Sequence, residues 1–258
     1  MEKSVFFEHI RNRYGFIKRC RGPYLYTSKE VRLIDMYQEG GRALLGWREG
    51  KSMQVLKNTL ERGLWGNYPG LGERRLEKAL GALFTHCGAP EFTKFSFIFT
   101  SSEASSYEGY PLLYPWNGFS PGEGIQKSDV VYLVPPFPIP SLVIAASSSA
   151  SFLPPSQPLS LFIMEALSRA VYDLIDSFSV RKNDLWAQYD DLLSPFFTRK
   201  GSALYPAVLE KDYDAFVLHC LDCGLVINPS PAYPSFVPYG ITTSALKMLS
   251  KKEFKPGE

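Results

Sequence analysis

An α/β fold follows from two features of this 258-residue chain. Stretches with apolar residues at helical spacing alternate along it with short apolar or alternating runs of strand type. Between them lie breaks marked by Gly and Pro, and seven of the 20 Pro fall between Pro135 and Pro158.

The elements follow in order. The stretch up to Arg21 is basic and aromatic. Tyr24-Leu25-Tyr26, then Thr27 to Glu30, then Val31 to Asp35 predict a β-hairpin, with two β-prone runs around a polar turn. Gly40-Gly41 ends that pattern. Met53, Leu56 and Leu60 predict a helix over 53–62, closed by Gly63. Leu76, Leu80, Leu83 and Phe84 predict an amphipathic helix over 73–84, with Glu73 in its first turn, where the helix dipole favours an anion. Phe95 to Thr100 predicts a buried strand. Residues 105–128 have no period. Val130 to Val134 and Leu142 to Ala146 predict two further strands. The link Pro135-Pro136-Phe137-Pro138-Ile139-Pro140 can be neither helix nor central strand, because Pro fixes φ and donates no hydrogen bond. Leu161, Met164, Leu167, Val171, Leu174 and Ile175 predict a long helix over 158–178, with Pro158 in its first turn. A weaker helix follows at 184–193, one or two strands at 196–209, a helix at 212–223 ended by Gly224, and a strand at 225–227.

Composition narrows the class. Hydrophobic residues make up 45% and charged residues 21%, which excludes a disordered, collagen-like or coiled-coil chain. Lys plus Arg total 28 and Asp plus Glu 26, a net +2 that argues against nucleic acid or an anionic membrane as main partner. No apolar run is long enough to span a bilayer, and no apolar segment of signal-peptide type follows Met1 to Lys3. Four Cys (Cys20, Cys87, Cys220, Cys223) do not make a disulfide framework, and reduced thiols in a cytoplasm are the expectation.

Five motifs bear on chemistry. Gly118-Phe119-Ser120-Pro121-Gly122 matches the serine hydrolase elbow. It lacks the flanking strand and helix, and Pro121 removes the N–H that would serve an oxyanion; a surface turn is the better reading. His219-Cys220-x-x-Cys223 could be half a metal site or a redox pair. No second pair has matching spacing, and the motif ends its helix where the dipole disfavours a thiolate, so core packing is preferred. Gly70-Leu71-Gly72 could seat a phosphate at a helix N-terminus, although a plain turn explains it better. Ser101-Ser102-Glu103-Ala104 closes a buried strand with two hydroxyls, which could hold a phosphate or simply cap a turn. The three His (His9, His86, His219) form no triad or metal pattern.

Taken in order, several stretches resemble class III aminotransferases, most closely glutamate-1-semialdehyde aminomutase, which are fold-type I enzymes using pyridoxal phosphate (PLP). They are Gly22-Pro23-Tyr24-Leu25-Tyr26 through Leu33-Ile34-Asp35, Leu44-Leu45-Gly46-Trp47, Phe97 through Ala104, Pro158 with its helix, and Asp214 through Pro231. The resemblance implies a reduced fold-type I PLP-transferase-like fold. A three-stranded remnant of the large-domain sheet would lie in residues 51–179, and an α+β small domain in 1–50 with 180–258. It further implies that the strands at 95–100, 142–146 and 130–134 are neighbours, matching the first, seventh and sixth strands of that family's sheet.

Two groups of that family are missing from the matching positions. The Schiff-base lysine should lie between the strands at 130–134 and 142–146, and none of Pro135 to Ser141 is Lys; Lys127 lies before the first of them. The stretch that carries the ring-stacking aromatic and the pyridine-pairing Asp is represented only by residues 105–128. A transaminase needs an amine to hold its cofactor and move protons. The expectation is therefore an aminotransferase-like protein without transaminase catalysis, with no catalytic residue and no metal. It would act by binding or assembly, as a homodimer or beside a related aminotransferase subunit. The alternative is an enzyme that binds PLP or another phosphate ligand at Ser101, Ser102 and Glu103.

Overall fold

A computed structural model describes residues 1–47, 50–66, 68–99, 111–114 and 128–254. Along the chain run α1 (Lys3–Tyr14), β1 (Ile17–Arg21), β2 (Tyr24–Thr27), β3 (Arg32–Asp35), α2 (Ser52–Glu61), α3 (Leu71–His86), β4 (Phe92–Phe99), β5 (Leu112–Leu113), β6 (Val130–Leu133) and β7 (Ser141–Ser147). They continue with α4 (Leu161–Ser177), α5 (Asn183–Ala187), α6 (Asp190–Leu193), β8 (Phe197–Lys200), β9 (Ala203–Pro206), α7 (Tyr213–Asp222), β10 (Leu225–Val226), β11 (Ser235–Phe236) and α8 (Thr243–Lys251). The chain divides into two compact units, Met1–Arg48 with Lys182–Glu258, and Glu49–Arg181.

The first unit joins both ends of the sequence. The expected hairpin is present: β2 and β3 pair antiparallel with Leu25 opposite Leu33. β1 extends it on one side, and β10 pairs parallel to β3 on the other, giving the order β1-β2-β3-β10. Alternation along the strands sends Leu25 and Leu33 to one face, where α1 contributes Phe6 and Ile10 to the same core as Val217, Cys220 and Leu221 of α7. A second small sheet, β11-β9-β8, is antiparallel. Gly224 closes α7 with φ +77° and donates its N–H to the Leu221 carbonyl, as expected for a residue just past a helix end.

The second unit is a sheet of order β4-β7-β6-β5 with α3 and α4 packed together beside α2. The three expected strands stand side by side with β7 in the middle, antiparallel to both neighbours and buried along its length. A fourth, two-residue strand, β5, adds to the β6 edge from within the stretch without period, through Tyr132 N–H to Pro111 O and Val134 N–H to Leu113 O. The other edge is covered locally: Phe97 N–H donates to Ser156 Oγ, and Gln157 N–H donates to Phe97 O. Both edges are thereby shielded from strand addition at these points. α4 begins at Leu161 after an extended Ser160, so Pro158 precedes the helix instead of sitting in its first turn.

Besides β1 and β5, three further elements go beyond the sequence reading. α1 buries only Phe6 and Ile10, one residue per turn, among exposed charges. β11 has two residues, and α8 follows a Pro-rich stretch with Leu246 and Leu249 as its buried face.

Candidate functional site

β4, β5 and β6 point the same way, so their carboxyl ends share one end of the sheet with the start of β7. In open α/β sheets that end is where ligands bind. Two features of the sequence bear on it. β4 leads directly to Ser101, Ser102 and Glu103, which lie outside the described residues. The Pro-rich link joins β6 to β7 across the same end.

The link is built from its own residues. Val134, Pro135, Pro136 and Phe137 are all buried. Phe137 N–H donates to Pro135 O at 2.8 Å and Ile139 N–H to Phe137 O at 2.7 Å, two successive three-residue turns. Ser141 Oγ then donates to Ile139 O at 3.2 Å. These turns use the two N–H groups that remain between four prolines. Nothing between Val134 and Ser141 offers an amine or a carboxylate. An aldehyde cofactor finds no group in this link with which to form an imine. The link residues by themselves therefore do not provide a covalent attachment for PLP.

The opposite end of the sheet carries a small polar cluster. Asp129 Oδ1 accepts from Ser147 Oγ at 2.7 Å and from Ser149 Oγ at 2.8 Å. These bonds hold the Asp129 carboxyl below its ordinary value. The cluster ties the start of β6 to the end of β7, reinforced by Ser147 N–H to Asp129 O.

The remaining motifs separate. Gly70 and Gly72 are explained by packing: a Cβ at Gly70 would lie 2.6 Å from Leu161 Cδ2, and one at Gly72 3.1 Å from Met164 Cβ. Clefts of about 420 and 310 Å³ flank this turn; Arg62, Arg75 and Glu165 line the first, where Arg75 is already paired to Glu165 at 2.7 Å, and Glu73 lines the second. Cys220 is fully buried in the core and burial pushes its thiol well up, which makes it an inert packing group. Cys223 Sγ lies 3.8 Å from His219 Nε2 and its thiol is also raised, chiefly by burial. His219 is lowered by burial, then by Lys252. His9 meets Arg13, and His86 stacks on Phe178 at 5.1 Å between ring centres. Ser120 and Lys127 lie outside the described residues. Among the described residues no three His, Cys, Asp or Glu side chains gather as a metal site, and no helix is long and apolar enough to cross a membrane.

Sequence reasoning did not find Asp35 as a buried group. It is fully buried, with Oδ1 accepting from Gln38 N–H at 2.7 Å and Oδ2 from Trp47 Nε1–H at 2.7 Å. Its signal was present only as the last residue of an apolar strand.

No family model matches the chain. Two curated proteins are similar over most of its length. One is an uncharacterized protein of Treponema pallidum, 26% identical over 284 residues, spanning 89% of this chain and 91% of its own. The other, from Borreliella burgdorferi, is also described as uncharacterized, and is 24% identical with 91% and 88% covered. Among solved structures, the ornithine aminotransferase of Plasmodium yoelii matches with a TM-score of 0.65 at 11% identity, covering 97% of each chain. An omega-transaminase from Sphaerobacter thermophilus matches with a TM-score of 0.67 at 12% identity, covering 96% of each. A transaminase solved with PLP bound matches with a TM-score of 0.65 at 10% identity, covering 92% of this chain and 90% of its own. At such identities the likeness is one of fold: the chain shares the fold of these aminotransferase structures.

Proposed function

We propose that this protein is an aminotransferase-like fold that has lost transaminase chemistry and works by binding or assembly. Its partner would be a second copy or a related aminotransferase subunit. In this reading residues 105–128 replace the longer stretch that carries the ring-binding groups in the family. The supporting observation is the β6–β7 link: the stretch expected to bear the Schiff-base lysine, Pro135 to Ser141, contains no Lys and begins with buried Pro135, Pro136 and Phe137. Without an amine there, no covalent anchor or proton carrier acts on an amino substrate.

The test is to incubate the purified protein with PLP, reduce with borohydride, and map pyridoxyl-lysine by mass spectrometry. Scattered substoichiometric labelling of surface lysines is expected. Stoichiometric labelling of one lysine, Lys127 included, would overturn the reading.

A second reading is favoured by one feature, the place of Ser101, Ser102 and Glu103 in the sequence directly after β4, whose carboxyl end lies at that end of the sheet. There the chain would bind PLP or another phosphate ester without a covalent link, for a reaction on an unknown substrate. Saturable PLP binding that survives dialysis and is lost in a Ser101→Ala, Ser102→Ala double variant supports this second reading. Uptake indifferent to both substitutions excludes it.

A further inference from the structure

The unit formed by the two chain ends contains a cleft of about 550 Å³ beside α1 that the transferase resemblance leaves unassigned. That volume lies within the range of small-molecule sites, roughly 300–1,000 Å³. Its floor is the α1-facing side of the sheet, with Cys20 of β1 opposite Leu25 of β2. Its walls are apolar and open to water: Phe7 is 45% exposed, Phe16 70% and Ile17 40%. Three such side chains around one hollow form a surface that an apolar body would cover.

The mouth is polar and biased in sign. Glu8, Glu39 and the buried Asp35 line the cleft against a single cation, Arg11, which already faces Glu8 at 3.4 Å. The chain also shows what the mouth holds. The Lys3 ammonium stands 3.4 Å from Glu39 Oε1, 5.6 Å from the centre of the Phe7 ring and 5.3 Å from that of Tyr37. Two ring faces and a carboxylate around one ammonium are the elements of cation recognition. Glu39 is held in position by unusual backbone: it and Gln38 both have φ near +50°, and Gln38 N–H is bound by Asp35. Lys3 reaches the box on a flexible, partly exposed stem, so an incoming ammonium can take its place.

We propose that this cleft binds amphiphilic primary amines, with the apolar body over Cys20 and Leu25 and the ammonium in the Phe7–Tyr37–Glu39 box in place of Lys3. A fatty acid of equal length meets Glu39 with the wrong sign, and an alcohol forgoes the charge. The proposal concerns a different unit from the sheet end and stands whether or not that end binds PLP.

The experiment compares dodecylamine, dodecanol and dodecanoate below their micellar concentrations, using the full chain with Cys87→Ser. Calorimetric titration gives affinity, and the rate of Cys20 alkylation by N-ethylmaleimide reports occupancy of the cleft itself. The amine is expected to bind roughly tenfold or more tighter than the other two and to protect Cys20. Glu39→Gln should remove most of that preference without changing dodecanol binding. Lys3→Ala, which vacates the box, should tighten amine binding. All these positions are at least partly exposed, so the variants keep the fold. Equal affinity for the three compounds, tighter binding of dodecanoate, an unprotected Cys20, or no response to Glu39→Gln would each overturn the proposal.

Discussion

Asp35 is the residue whose environment departs furthest from what its sequence position announces. Burial pushes its carboxyl up to about 6, and the bonds from Gln38 N–H and Trp47 Nε1–H resist that rise without cancelling it. The unfolded carboxyl ionises near 4, so between about pH 4 and 6 the folded chain binds a proton that the unfolded chain has released. Asp35 therefore favours folding most below about pH 4. That contribution, about 3 kcal/mol for a shift of this size, is lost as pH rises through 6. Asp35→Asn should flatten this part of the profile. It should also cost about 1–3 kcal/mol, since an amide cannot accept from both donors and turns its own N–H₂ toward one of them. Urea unfolding of both proteins from pH 4 to 8 measures this; parallel profiles would show that Asp35 does not titrate there. The residue string marked this aspartate only as the end of an apolar strand. Strand alternation placed it beside Ile34, but its two donors come from turns with no period of their own.

At the scale of elements, α2 is capped from another helix. Lys51 precedes it without a side-chain cap of its own, while Asp173 Oδ2, from α4, accepts from Lys51 N–H at 2.9 Å and Ser52 N–H at 3.2 Å. Asp173 Oδ1 meanwhile accepts from Arg169 Nε at 2.8 Å and Nη2 at 2.6 Å. Asp173→Ala should cost about 2 kcal/mol and fray α2, read as faster amide exchange at residues 51–55. Gly50→Ala should act in the same direction, because Gly50 has φ +78° and a Cβ there would lie 2.8 Å from Asp173 Oδ2. Unchanged exchange in both variants would place the stability of α2 in its packing alone. α3 and α4 were legible because each buries a wide apolar stripe, as α3 does with Leu76, Leu80, Leu83 and Phe84, whereas α2 was legible from Met53, Leu56 and Leu60, which stay half-buried. β6 and β7 were legible as unbroken apolar runs. β5 was not, since two residues carry no period, and the start of α4 was misplaced because Pro158 suits a helix start as well as an edge segment. At the candidate site the Pro-rich link was readable as a break, but its burial was not, because Pro135 and Pro136 are no more apolar in the string than any turn proline.

At the scale of the whole molecule the informative pairing is β3 with β10, which brings together segments from the two ends of the chain. Periodicity cannot show such a pairing, and only the order of motifs suggested it. The packing makes it consequential. Phe6 and Ile10 of α1, Leu33 of β3, and Phe216, Val217 and Leu221 of α7 belong to one core, and Phe6 is completely buried in it. Removing the Phe6 ring leaves a void that the surrounding β-sheet and helix cannot close fully, so Phe6→Ala should cost about 3–5 kcal/mol. Because the core is shared, the loss should not stay in α1. Faster amide exchange is expected together in α1, β2, β3, α7 and β10, with the N-terminal and C-terminal segments opening as one unit. Exchange that rises only within α1 would mean that the helix is a dispensable cover, and that β2, β3, α7 and β10 hold their core without it.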